Sequence, residues 1–302
     1  MSNKRVNLSE FLPLKTPFSL HIFPSYYCNF HCSYCLHSLS TDELQKRHFK
    51  KQYMSFVVYK KAIDDLKDFP NKLKTIIFAG HGEPLMHKDI AKMVRYAHDA
   101  NVSNRIEIVT NGSLLTKEMC DNLISAKLDL LRISLQGLTN EMYNKVGGTK
   151  YSISDLIENI CYFYNNRIHT KMHVKILNVA LESESDEEKF LETFKPICDE
   201  ATIEYLIPFI NEIDHTKMSD DFSKCKLGHN TRLSQICSMP FYMLVLEPNG
   251  NIVPCCSSVV PYIYGNVMDK DLFEIWGGEK HIDFLLTQLT DLKKNKVCRE
   301  CS

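Results

Sequence analysis

Two hydrophobic periods alternate along the chain. Short apolar runs read as strands: "FSLHIF" (18–23), "KTIIFAG" (74–80), "RIEIVTNG" (105–112), "LDLLRISLQG" (128–137), "KMHVKILNVA" (171–180) and "TIEYLIPFI" (202–210). Between them, apolar residues recur at helical spacing over 55–69, 89–100, 117–127, 153–166 and 186–200. Strand–helix alternation at this pitch predicts an α/β fold with a parallel sheet and right-handed crossovers. Six such units make a partial (β/α)6 barrel, whose chemistry belongs at the C-terminal ends of the strands.

The pattern breaks near residue 211. Segment 211–234 is polar and aperiodic and reads as a linker. "FYMLVLEPNGNIVPCC" (241–256) reads as a β-hairpin around Pro248-Asn249-Gly250. "KDLFEIWGGEKHIDFLLTQLT" (270–290) reads as helix, broken or kinked at Gly277-Gly278. The expected division is therefore a barrel domain over 1–215 and a small C-terminal hairpin-plus-helix domain over 216–302.

Composition narrows the possibilities. A chain of 302 residues, 44% hydrophobic, holds one large domain or two and a sizeable core. Lys plus Arg is 36 against 37 Asp plus Glu, which argues against a broad nucleic-acid footprint. No window reaches the ~18 apolar residues of a membrane span. The N-terminal "MSNKRVNLSEFLPLKTP" has no apolar core of a secretory signal, so a cytoplasmic protein is expected. In that compartment, cysteines at metal-type spacing read as ligands before disulfides. Of twelve, Cys28, Cys32 and Cys35 form a tight early trio, while Cys237, Cys255, Cys256, Cys298 and Cys301 form a late group. Cys120, Cys161, Cys198 and Cys225 are scattered and read as small buried hydrophobes.

Soft thiolates suit iron–sulfur clusters or zinc. A structural zinc site closes with four protein ligands. No fourth cysteine lies near the trio, although His31 and His37 could serve. A trio that leaves one cluster iron open would let a small molecule bind it. Cys237, Cys255, Cys298 and Cys301 make a complete set, which on residue type alone also suits zinc. After the second strand, "AGHGEP" (79–84) offers a carboxylate and exposed carbonyls that suit a cation, with glycine allowing close backbone approach.

Cys28-x3-Cys32-x2-Cys35, with Tyr34 before the third cysteine, resembles the signature of radical S-adenosylmethionine enzymes. The resemblance implies a [4Fe–4S] cluster on the trio, its fourth iron chelated by the amino and carboxylate groups of S-adenosylmethionine. "AGHGEP" resembles the family's Gly-Gly-Glu-Pro segment, with His81 in place of the first glycine of the pair. That implies Gly80, Gly82 and Glu83 around the methionine ammonium. Ser134 matches a position that contacts the cofactor's ribose or carboxylate, and Asn111 and Asn178 end strands near the same rim. Many relatives carry an acid where Gln136 stands and an Arg near Val146; Lys145 is the candidate to replace that charge.

The late segment, with Gly250-x4-Cys255, "GNVMDKDLFEIWGG" and Cys298-x2-Cys301, resembles the auxiliary-cluster extension of such enzymes, in its shortened "twitch" form with one cluster. The implied cofactors are two [4Fe–4S] clusters and S-adenosylmethionine, with an external one-electron donor such as flavodoxin or ferredoxin. The implied chemistry is hydrogen abstraction by a 5′-deoxyadenosyl radical, followed by oxidation with the auxiliary cluster accepting the electron. The layout is similar to 2-deoxy-scyllo-inosamine dehydrogenases and to sulfatase-maturing enzymes. In those maturases an acidic proton acceptor follows the hairpin cysteine; here it is Cys256, and no N-terminal peptide-recognition domain is evident. A small hydroxylated substrate, a sugar or cyclitol, is therefore expected. Cys256 also opens an alternative, because a thiol that returns hydrogen to the opposite face of a substrate radical makes an epimerase. A peptide-modifying maturase, a passive iron–sulfur carrier and a zinc module complete the alternatives.

Overall fold

The computed structural model describes residues 7–219, 221–230 and 236–301; parts of the expected linker and of the N-terminal stretch lie outside these. Strands β1 (Ser19–Ile22), β2 (Thr75–Phe78), β3 (Ile106–Thr110), β4 (Leu130–Leu135), β5 (Lys171–Leu177) and β6 (Glu200–Glu204) pair in parallel in sequence order. Their connections hold α1 (Thr41–Lys46), α2 (Phe56–Asp65), α3 (Ile90–Ala100), α4 (Lys117–Ser125), α5 (Asn140–Gly147), α6 (Ile153–Asn166) and α7 (Glu184–Phe194). The expected α/β partial barrel is present.

Hydroxyl side chains start these helices. Ser55, Thr116, Thr139 and Ser152 each accept a backbone N–H of the first turn of α2, α4, α5 and α6. Strand side chains then sort by the period of two. Leu131, Ile133, Leu135, Met172, Val174 and Ile176 are buried in the main core with the helices. The opposite face carries the half-buried Arg132, Ser134, His173 and Lys175. The helix-covered face is thus apolar, and the inner face is polar.

The C-terminal segment adds β7 (Met243–Leu246), β8 (Asn251–Val253), β9 (Gly265–Asn266), α8 (Leu272–Trp276), α9 (Glu279–Asp291) and α10 (Lys296–Glu300). The expected hairpin is β7–β8, and the expected long helix is divided at Gly277-Gly278. Its placement goes beyond the sequence expectation. β7 pairs in parallel with β1, from Ser19↔Met243 to Ile22↔Leu246. All nine strands therefore form one sheet, ordered β6-β5-β4-β3-β2-β1-β7-β8-β9, and strands on both sides of the expected 215/216 division belong to it. α8 docks on α2 as well. Buried Asp65 accepts Leu272 N at 3.0 Å, Lys61 pairs with both Asp65 and Asp271, and Trp276 Nε1 donates to Leu14 O at 2.9 Å.

Several boundaries differ from expectation. α7 stops at Phe194 rather than 200, because Pro196 cannot continue an α-helical ladder, and β6 then begins earlier, at Glu200. α1, α5, β9 and α10 fall where no element was expected. Leu244 is fully buried in the β7 row of the core. Leu244→Ala should cost about 2–5 kcal/mol of stability in urea denaturation and lower a single transition shared by barrel and C-terminal segment. A cost near zero would mean that β7 is not part of the common core.

Candidate functional site

The chain leaving β1 carries the cysteine trio, and a main-chain clamp shapes it. His31 N donates to Gly147 O at 3.0 Å and Ser33 N to Val146 O at 2.8 Å, fixing the loop to the end of α5. Gly148, at φ +60°, makes the contact possible: a Cβ there would lie 2.6 Å from His31 O. Cys35 N closes a turn on Cys32 O at 2.8 Å. His37 Nε2 lies 2.6 Å from His81 O, which leaves only its Nδ1 as a possible ligand.

The trio's chemistry is that of thiols awaiting positive charge. Burial pushes Cys28 up to about 12, with the charges of Glu83 and Cys35 adding to it. Burial and the charges of Cys35 and Cys28 push Cys32 up. Thiolates so placed need a cation to ionise them, which is what iron in a cluster supplies. Among the described residues no three His, Cys, Asp or Glu side chains group to hold a metal ion. Three soft thiols from one loop suit the irons of a cluster by ligand type.

The "GHGEP" loop after β2 lies directly on the approach to the trio. A Cβ on Gly82 would fall 2.2 Å from Ser25 O, and Glu83 N donates to Tyr27 O at 2.9 Å. Gly80 sits beneath the Phe23 ring. Glu83 is 3% exposed, and both carboxylate oxygens are engaged. Oε1 accepts from Leu85 N at 2.9 Å and Thr110 Oγ1 at 2.6 Å; Oε2 accepts from Asn111 N at 2.8 Å. Asn111 Nδ2 in turn donates to Asn29 Oδ1 at 3.0 Å, and Asn29 Nδ2 to Ser113 Oγ at 2.7 Å. Glu83 and Asn111 thus tie the ends of β2 and β3 to the cysteine loop. His81 ties a further segment: its Nε2 lies 3.1 Å from Ser257 O, beyond the late Cys255 and Cys256.

On the inner face, Tyr34 donates its hydroxyl to Gln136 Oε1 at 2.6 Å, and Gln136 Nε2 donates to Ser134 O at 3.2 Å. Gln136 therefore holds Tyr34 without a charge. Ser134 is half-buried beside Lys175, its register partner. Asn178 Oδ1 accepts from Leu206 N at 2.9 Å and so braces the end of β5. Lys145 lies at the surface and pairs with Glu182 at 2.9 Å. Lys175, which does lie on the inner face, was not found from sequence, and the exposed Lys226 reaches the same partner, Glu204. Lys175 Nζ lies 2.8 Å from Glu204 Oε2, and Lys226 Nζ lies 3.3 Å from the same oxygen. Burial and Lys226 bring Lys175 down to about 8. Strand alternation would have placed Lys175 inward; Lys226 gave no signal. His173 Nε2 lies 2.6 Å from Thr202 Oγ1.

The late thiols gather from three segments. Cys255, pushed up to about 12 by burial, is close enough to Cys237, Cys298 and Cys301 for their charges to raise it further. Cys298 responds likewise to Cys237 and Cys301. Cys256 turns the other way. It packs with Phe23, Tyr26, Met243, Val245 and Val253, and its Sγ lies 3.5 Å from His21 Nδ1 on β1. Burial holds Cys256 up at about 12, and burial and Arg132 hold His21 down at about 4, so both are neutral at pH 7. His21 was also missed from sequence, although strand alternation points it inward from "SLHI", on the face it shares with Ser19.

A parallel half-barrel with three thiols at the rim of β1, extended by a segment in which Cys255 after the hairpin joins Cys237, Cys298 and Cys301, defines a radical S-adenosylmethionine enzyme. Residues 22–194 match the model of the radical SAM superfamily, and the chain belongs to that family. Residues 237–302 match the SPASM iron–sulfur cluster-binding domain. S-adenosylmethionine and iron–sulfur clusters are thus its cofactors. The chain is 25% identical to the tungsten-containing aldehyde ferredoxin oxidoreductase cofactor-modifying protein of Pyrococcus furiosus, over 91% of this chain and 84% of that one. It is 28% identical to the GTP 3′,8-cyclase of Campylobacter jejuni, over 53% of this chain and only 46% of the cyclase. In fold it is similar to Streptococcus suis SuiB bound to S-adenosylmethionine (TM-score 0.70, 17% identity, 97% of this chain and 74% of that chain). It is also similar to BtrN in complex with AdoMet and 2-DOIA (TM-score 0.58, 17% identity, 94% and 92%). Among the described residues no helix is long and apolar enough to cross a membrane.

The Glu83 network makes a measurable prediction. Glu83→Gln keeps the shape but turns an NH2 group toward buried donors. It should lower stability by about 1–3 kcal/mol in thermal or urea unfolding and weaken S-adenosylmethionine binding by calorimetry. Unchanged stability would mean that the carboxylate does not join the three loops.

Proposed function

We propose that this enzyme removes hydrogen from a C–H bond of a small hydroxylated substrate, a sugar or cyclitol, and oxidises it. The observation that carries this reading is the position of Cys255 and Cys256. Cys255 belongs to the four-thiol group, and the next residue lies against His21 on the inner face of β1. The late group therefore adjoins the face where a substrate would sit. Cys28, Cys32 and Cys35 would hold one [4Fe–4S] cluster, and Cys237, Cys255, Cys298 and Cys301 a second. With S-adenosylmethionine these groups supply a 5′-deoxyadenosyl radical for hydrogen abstraction and an acceptor for the electron that oxidation releases. An external flavodoxin or ferredoxin would provide the initial electron.

The chain's own part is to position and exclude. Tyr34, fixed by Gln136, and the backbone at Gly80 and Gly82 form the wall beside the trio. Glu83 has lone pairs beyond those it uses, so it can still face an ammonium group. Ser134 and Asn178 border the cofactor's place. The polar inner face suits a hydroxylated substrate, and the half-buried Lys175 on that face, beside Glu204, supplies a cation there. A substrate carrying an acidic group as well as hydroxyls fits that wall.

One observation favours a second reading. Cys256 sits on the inner face with its thiol beside His21, where it could return a hydrogen atom to a substrate radical and act as an epimerase. Two experiments test these readings. Anaerobically prepared protein should hold about eight iron atoms per chain, falling to about four when Cys28, Cys32 and Cys35 are all Ala. Iron near four that ignores this replacement would remove the second cluster. With acidic sugars and cyclitols screened for 5′-deoxyadenosine release, the product should be lighter by two hydrogens, and Cys256→Ala should have a modest effect. A product of unchanged mass carrying solvent deuterium would replace oxidation by epimerisation.

A further inference from the structure

Two buried side chains beside the late cysteines each carry one polar atom with no hydrogen-bond partner among the described residues. Tyr264 is 4% exposed, and its hydroxyl meets neither donor nor acceptor. Gln288 is 1% exposed; its Oε1 is also unpaired, an acceptor that sulfur cannot complete, so only its Nε2 can act on sulfur. Native interiors rarely leave such groups alone unless something completes them. Both are also held firmly. Tyr264 N donates to Ile252 O at 2.9 Å, and its ring lies edge-on to His281 and Phe284 of α9, at 4.9 and 5.8 Å between centroids. Gln288 stands four residues beyond Phe284, on the same face of that helix.

Both groups lie toward sulfur. Gln288 Nε2 donates to Cys298 Sγ at 3.7 Å. The Tyr264 hydroxyl is raised above the usual phenol range first by burial and then by the nearby charges of Cys255, Cys298 and Cys237. We propose that Tyr264 Oη and Gln288 Nε2 donate hydrogen bonds to the sulfur atoms of the auxiliary cluster and raise its reduction potential. The proposal rests on reading Cys237, Cys255, Cys298 and Cys301 as the ligands of that cluster. Reduction places one more negative charge on a cluster, and donors aimed at its sulfurs stabilise the reduced state. Burial alone disfavours the added charge. The two donors offset that cost, and they suit a cluster that must accept an electron.

The test uses full-length protein in which Cys28, Cys32 and Cys35 are all Ala, so that only the late set can carry iron. Its midpoint potential is read by electron paramagnetic resonance during redox titration, alongside iron content. Tyr264→Phe and Gln288→Leu should each move the midpoint to more negative values with iron retained, and the double variant should move it further. Midpoints that do not move with iron retained would overturn the proposal. A background protein without iron would overturn the ligand reading beneath it. Cluster-free protein gives a separate measurement. Tyr264→Phe removes an unpaired hydroxyl, so its thermal stability should match or exceed that of the parent. A clear loss there would assign the hydroxyl a structural partner and defeat the proposal.

Discussion

Strand β1 is hydrogen-bonded along both edges, by β2 on one side and β7 on the other, and this double pairing organises the chemistry. A strand paired only on one side would present an open edge to solvent. Here the second edge is closed by residues more than two hundred positions further along the chain. The loop that leaves β1 carries Cys28, Cys32 and Cys35, and the hairpin beside it leads into Cys255 and Cys256. Two thiol groups that are distant in sequence are therefore referred to one rigid strand. His21, at the centre of β1, meets Cys256 directly for the same reason.

The rim is joined by polar contacts rather than by apolar packing. Glu83 is a buried carboxylate that accepts three hydrogen bonds from the β2 and β3 ends, and Asn111 passes the connection to Asn29 in the cysteine loop. Burial raises Glu83 while these donors oppose it. A buried network of this kind is stable only when complete, because a stranded acceptor in a low-dielectric site costs more than the bond contributed. Completeness has a geometric benefit: loops with no regular structure acquire fixed positions. His81 joins the same rim to Ser257, so a side chain stands where the family more often has none and links the early and late segments.

What could be read in the sequence depended on whether the signal was local. The six barrel strands, their alternating faces and the thiol spacings are written in short windows, and each emerges in the structure. The parallel seat of β7 is not local. Its clue was "MLVL", a run buried at every position, which marks an interior strand of a parallel sheet better than the alternating face of a free hairpin. α5 is short and polar and was passed over, although Thr139 and Gly148 bracket it as cap residues do. Lys145, chosen by proximity along the chain, faces solvent, whereas Lys175 and Lys226 meet Glu204 from separate elements. Pairing across the sheet cannot be read from any single segment. The same holds for Tyr264 and Gln288, whose common neighbour is a group of thiols drawn from three places.

The clamp between the cysteine loop and α5 bears on how the enzyme matures. His31 and Ser33 are held by main-chain carbonyls of Val146 and Gly147, contacts that need no metal. The loop's shape is thus set by the folding of the polypeptide. Metal assembly then has little chain entropy left to overcome and mainly exchanges thiol protons for iron. Synthesis and cofactor insertion become separable events: the nascent chain can reach its native topology first and present a formed receptacle to whatever machinery delivers iron and sulfide.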